Sequence, residues 1–120
     1  KPMLASQQTD LAQTTLLVAK PAMMSHLWKG EKAPTFKRSY RPSLAYRLAL
    51  VGQGRYDAMM TLRPSWEWDI AAGALIVSEA GGTCSDQTGS PLVFNNPDPR
   101  LNGVVAGGTP TQIALIDALA

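Results

Sequence analysis

Apolar residues in this chain come in short runs divided by turn formers. Residues 1–14 are polar and weakly patterned, with Leu11 to Thr15 closing a short helix. Leu16-Leu17-Val18-Ala19 is a continuous apolar run of the length a buried strand needs. Pro21 suits the first position of a helix, which predicts a helix over Pro21 to Trp28 stopped by Gly30. Residues 29–35 form a charged loop, and Phe36 to Tyr40 alternates as a strand does.

The pattern then turns helical. Leu44, Leu48 and Val51 share one face at helical spacing, with Ala45 beside them. This predicts a helix over Ser43 to Val51, with Ser43 as N-cap and Gly52 and Gly54 ending it. Tyr56 to Leu62 reads as a strand, and Pro64-Ser65 breaks the pattern. Trp68 to Ala80 is apolar around nearly its whole circumference, so a helix buried on several sides is expected there, closed by Gly81-Gly82. Short strands are predicted at Thr83–Ser85 and Leu92–Phe94, with a turn at Gln87-Thr88-Gly89 between them. Val104-Val105-Ala106 reads as another buried strand. Thr109 as N-cap and Pro110 at the first position open a last helix. Five or six strands alternating with four helices indicate an α/β domain. No linker or internal repeat divides the chain.

Composition narrows the classes. With 120 residues, 45% of them hydrophobic, the chain is long enough to bury a core. Charged residues are only 17%, against about 25% in ordinary domains. That argues against intrinsic disorder and points to apolar surface meeting a partner or another domain. The net charge of +2 comes without a Lys/Arg run, which argues against a nucleic-acid polymer as partner. No apolar run reaches the roughly 20 residues that span a bilayer, so no membrane partner is expected. A lone cysteine, Cys84, makes no disulfide framework and fits a reducing, cytoplasmic compartment. The first residue is Lys1, as expected of a trimmed protein or a piece of a longer one.

Candidate chemistry is sparse. Asp69 opens the apolar helix, where free N–H groups favour a carboxylate. It reads either as an N-cap or as a ligand to a hard cation such as Mg²⁺, which needs several oxygen ligands. Glu79-Ala80-Gly81-Gly82 reads as a helix stop. Lys29, Lys32, Lys37, Arg38, Arg41, Arg47, Arg55 and Arg63 are candidate phosphate binders or a solvated surface, with Arg47 and Arg63 best placed beside breaks in the apolar framework. His26 lacks an orienting partner and reads as structural or exposed. Cys84 reads as a small buried hydrophobe, and Trp66 and Trp68 as packing residues. No serine stands in a G-x-S-x-G context, and Gly107-Gly108-Thr109 is no phosphate loop.

One stretch carries more. Trp68-Asp69-Ile70-Ala71-Ala72-Gly73-Ala74-Leu75-Ile76-Val77-Ser78-Glu79-Ala80-Gly81-Gly82 resembles the C-terminal signature of the inositol monophosphatase superfamily. The flanks agree: Ser43 to Arg47 leading into Gly52-Gln53-Gly54-Arg55-Tyr56-Asp57-Ala58, and Asp86 with Gly89 and Pro91-Leu92. The likeness runs from about Leu16 to the end. It implies an α/β fold in which a layered mixed sheet is flanked by helices, the C-terminal half of that family's sandwich. It implies a Mg²⁺-dependent phosphomonoesterase with Mg²⁺ as cofactor and Asp69 as one metal ligand. The family's N-terminal D-P-[IL]-D-G-[TS] run is absent here, so a missing N-terminal metal-binding domain is an implied partner.

Ser43, Arg47 and the Trp66-Glu67-Trp68-Asp69 run look most like the bacterial 3'(2'),5'-bisphosphate nucleotidases. That likeness implies Ser43, Arg47 and Arg63 as contacts to a small phosphorylated substrate, a nucleotide bisphosphate. Thr61 stands where inositol phosphatases carry a glutamate, which weighs against inositol phosphate and leaves other sugar phosphates open. The competing expectation is a catalytically incomplete fragment whose apolar helix face pairs in a homodimer.

Overall fold

The computed structural model describes residues 4–24, 27–31, 34, 36–41, 43–94, 97–98 and 100–119. His26 and Lys32, weighed above, lie outside the described residues. Leu16, Leu17 and Val18 point alternately to the two sides of a five-stranded sheet, and each side has its own core. The strands are β1 (Thr15–Leu17), β2 (Lys37–Ser39), β3 (Ala58–Trp66), β4 (Gly82–Ser85) and β5 (Arg100–Gly108), in the order β2-β1-β3-β5-β4. The first three run parallel, and β5 is antiparallel to both β3 and β4. The expected layered mixed sheet flanked by helices is what forms.

Helices α1 (Leu44–Gly52) and α2 (Ala71–Glu79) cover one face. There Leu48, Val51, Ile70 and Val77 pack on Leu17, Met59, Val104 and Ala106. The other face carries α3 (Thr109–Ala118), whose Leu115 packs with Trp28, Leu16, Met60 and Val105. Trp28 can be buried because its indole N–H donates to the Ala22 carbonyl at 3.0 Å. Asp57 ties the leading segment down: its carboxylate accepts from the Ser6 hydroxyl, from the Thr15 N–H at 2.7 Å and from the Thr15 hydroxyl at 2.9 Å.

Several expectations change. Leu11–Gln13 and Lys20–Met23 are single 3-10 turns, not longer helices. Ala19 gives the second turn no side-chain cap and Met24 is extended, so the helix expected over Pro21 to Trp28 does not propagate. Three α-helices form among the described residues, not four. Pro64-Ser65 does not break β3. One extra residue in β3 makes a bulge between Thr61 and Pro64, opposite Gly103 in the left-handed region (φ 72°), and pairing resumes to Trp66. Leu92–Phe94 is not a strand: Leu92 and Phe94 pack on the α1/α2 core while Val93 faces water, so the alternation reflects burial without a ladder. Gly108 takes the N-cap position of α3, and the Thr109 hydroxyl bonds Thr83 at 2.7 Å instead. The expected turn after β4 does form. Asp86 Oδ1 accepts from the Thr88 N–H at 2.8 Å and the Ser90 N–H at 3.0 Å.

Candidate functional site

Two glycine contacts set how α1 and α2 meet. A Cβ on Gly73 would lie 2.6 Å from Leu48, and one on Gly52 would lie 2.6 Å from Ile76. Four residues along α1 thus advance with three along α2. The helices run side by side in the same direction, so their N-termini share one end. Free N–H groups and the positive ends of both dipoles meet there. Ser43 and Arg47 lie at the start of α1, and Asp69 lies in the 3-10 turn that leads into α2.

Ser43 caps α1, its Oγ accepting from the Tyr46 N–H at 3.4 Å. It does so at φ 71°, the sole non-glycine residue with positive φ among the described residues. Such strain is held where surrounding structure enforces it and clusters at functional sites. Arg47 is only 8% exposed. Its guanidinium carbon lies 5.2 Å from the centre of the Tyr40 ring, and its buried Nε has no hydrogen-bond partner. Burial pushes its pKa down, partly opposed by Tyr40. Arginine nevertheless stays charged at neutral pH.

Asp69 is not the N-cap of α2. The chain enters that helix through a 3-10 turn at Glu67–Asp69, and Ile70, already right-handed, takes the cap position with no side-chain bond. The Asp69 carboxylate is therefore exposed and keeps its oxygens for another group. Among the described residues no three His, Cys, Asp or Glu side chains come together. Mg²⁺ prefers octahedral oxygen coordination. Asp69 fits as one ligand, and the described residues do not by themselves make a cation site.

Arg63 is exposed and lies on a hollow of about 200 Å³, shared with Ala22, Met60 and Thr61. No described contact joins it to Ser43, Arg47 or Asp69. Tyr40, which faces Arg47 from the strand–helix connection, was not legible in sequence, because no spacing rule links it to a residue on the next helix. Trp66 and Trp68 do not pack into the core. They stack on each other at the surface, since β3 ends at Trp66 and the turn at Glu67 carries the chain away from the sheet. Nor is α2 buried all round: Ala71, Ala72 and Leu75 face water. No described helix is long and apolar enough to cross a membrane.

Gly81 is left-handed (φ 87°) and ends α2, as expected. Cys84 is half-buried, and burial pushes its thiol up to about 12 from 9.0. The unfolded thiol ionises first, so stability from this group is complete below about pH 9 and is lost as pH rises toward 12. Urea unfolding between pH 8 and pH 11 is expected to show a midpoint that falls less in Cys84→Ala than in the parent.

Known proteins resemble this chain along most of its length. Residues 4–117 match the inositol monophosphatase family. The Nus factor SuhB of Pseudomonas aeruginosa is 46% identical over 72 residues, 60% of this chain and 24% of that protein. A 3'-phosphoadenosine 5'-phosphate phosphatase of Mycobacterium leprae is 35% identical over 80 residues, 58% of this chain and 30% of that protein. The inositol monophosphatase of Anabaena (Nostoc) superposes with a TM-score of 0.75 at 23% identity, covering 98% of this chain and 47% of that one. The chain thus spans under half of that structure and under a third of these curated relatives. With that family's match running over residues 4–117, the chain belongs to the inositol monophosphatase family.

Proposed function

We propose that this chain is the C-terminal, substrate-side half of a Mg²⁺-dependent phosphomonoesterase that removes the 3'-phosphate of 3'-phosphoadenosine 5'-phosphate. The observation that carries this reading is the buried, unpartnered Nε of Arg47 beside the shared N-terminal end of α1 and α2. A buried N–H without an acceptor costs about 1–3 kcal/mol. A phosphate oxygen would supply the acceptor, in a place where two helix dipoles already favour negative charge. Ser43 adds a hydroxyl at the same end. Arg63 is assigned to the nucleotide by resemblance alone. A Mg²⁺ ion, held by Asp69 and by ligands from a half outside this chain, would activate water and neutralise phosphate oxygens. The lone Cys84 supports a cytoplasmic location.

The nucleotide is preferred over inositol phosphate because Thr61 brings no carboxylate to accept from ring hydroxyls. Phosphate release in Mg²⁺ decides the matter. The native polypeptide is expected to hydrolyse 3'-phosphoadenosine 5'-phosphate in preference to inositol 1-phosphate and fructose bisphosphate, and the 120-residue chain to hydrolyse none of them. Preference for a sugar phosphate overturns the substrate. Turnover by the 120-residue chain overturns the half-site. A second reading, an assembly face, is favoured by the exposed apolar side of α2, where Leu75 is 61% exposed beside a hollow of about 620 Å³. A concentration-dependent dimer in sedimentation, with no turnover by the native polypeptide, would favour it.

A further inference from the structure

Trp66 and Trp68 form a parallel stack, with ring centres 4.7 Å apart and planes 9° from parallel. Both are open to water, at 44% and 66% exposure. Arg100, paired with Trp66 across β3 and β5, sets its guanidinium carbon 5.9 Å from the Trp66 ring centre. Asp98 holds that guanidinium at 3.1 Å. The pair is therefore braced from the sheet side by an ion pair, while Trp68, its most exposed member, directly precedes Asp69 in the chain. Large apolar rings are usually scattered singly on a surface. Two of them held flat and parallel beside the proposed phosphate end are a preformed plane.

We propose that this plane takes the heterocyclic base of a nucleoside phosphate, which stacks on Trp68 while its phosphate lies toward Asp69 and Arg47. The inference takes only the position of the phosphate from the proposed function. A base offers a flat π face and asks for no hydrogen bond from the ring beneath it. A polyol asks for donors and acceptors at the ring edge, and the charged groups there, Arg100 and Asp98, satisfy each other. Stacking of one base on an aromatic side chain contributes a factor of about ten or more in affinity. Trp68 would thus set preference for nucleotides over sugar phosphates without touching the reacting atoms.

The test is tryptophan fluorescence of the 120-residue chain titrated with adenosine, adenosine 5'-monophosphate and ribose 5-phosphate. Trp66 remains as reporter in Trp68→Leu, and the exposure of Trp68 makes that variant mild for folding; Trp68→Phe keeps a ring. Adenosine and its monophosphate are expected to quench saturably. Trp68→Leu should weaken both about tenfold, Trp68→Phe much less, and ribose 5-phosphate should be unaffected by either. Failure of ribose 5-phosphate to bind, with adenosine still bound and still sensitive to Trp68→Leu, removes the phosphate reading and leaves the base platform standing. The platform is overturned if adenosine and its monophosphate leave the parent's fluorescence unchanged. It is equally overturned if Trp68→Leu binds them as the parent does, or if it weakens ribose 5-phosphate to the same extent.

Discussion

Gly73→Val is expected to remove about 3 kcal/mol or more of stability, enough to lower the urea midpoint by about 1 M or more. The reason lies in the seam between α1 and α2. A Cβ at Gly73 would fall 2.6 Å from both Cβ and Cδ1 of Leu48, a fully buried side chain that cannot swing away. Helix propensity works the other way, since alanine in a helix interior is favoured over glycine by about 1 kcal/mol. Gly73→Ala therefore measures the clash minus that gain and should still destabilise. Leu48→Ala by itself loses about 2–5 kcal/mol through the cavity it opens. In that background Gly73→Ala should cost less than in the parent, because Cδ1 and Cγ are gone. The relief stays incomplete, because the Cβ of residue 48 remains. Additive effects in the double-mutant cycle would show that the two residues do not meet.

The second large effect is on ligand binding. Arg47→Met keeps the length and apolar stem of a buried side chain and deletes its charge. Without ligand, two terms oppose each other. The stacking of Arg47 on Tyr40 is lost, about 0.5–2 kcal/mol, and the unpaired buried N–H is removed, about 1–3 kcal/mol. Thermal stability should thus fall by no more than about 1 kcal/mol and can rise by up to about 2.5 kcal/mol. Phosphate binding should not survive: loss of a charge-assisted contact in a buried site costs about 2–5 kcal/mol, or about 30-fold and upward. Calorimetric titration with adenosine 5'-monophosphate and the KM of the native polypeptide both read this. Arg47→Lys should fall between, because an ammonium cannot reproduce the two-pronged guanidinium contact. An unchanged KM in Arg47→Met would take Arg47 out of the substrate contacts.

Much of this architecture was legible before any coordinates. The Leu16–Val18 run, the Leu44/Leu48/Val51 stripe and the Val104–Ala106 run all became core, because apolar spacing reports burial directly. The same property misled at Leu92–Phe94, where burial alternates without a sheet partner. It misled again at α2: an apolar circumference predicts burial on every side, yet Ala71, Ala72 and Leu75 face water. Proline was read as a stop at Pro64, and a bulge opposite Gly103 absorbed it. Ser43, Arg47 and Asp69 stood out in the sequence as candidates, but not that two parallel helices bring their ends together. That depends on contacts of Gly73 and Gly52 with residues on the other helix, which no local spacing encodes. The cap at Asp69 was misplaced because a 3-10 turn and a helix start share the same preferences. The Trp66–Trp68 stack went unseen because residues two apart face opposite ways on a helix and meet only where a strand hands over to a turn.

The sheet order also dictates a sequence of events during synthesis. β3 is made before β5, yet β5 is the strand it leans on, and β4 pairs only with β5. A ribosome delivering this chain exposes β1, β2 and β3 with α1 and α2 first, while their apolar faces still lack Val104, Val105 and Ala106. Until that strand emerges, one side of β3 is an open edge with its N–H and C=O groups unpaired. The nascent protein should therefore be most prone to aggregate just before residue 100 leaves the ribosome. A binder of exposed strands would rescue it most at that length.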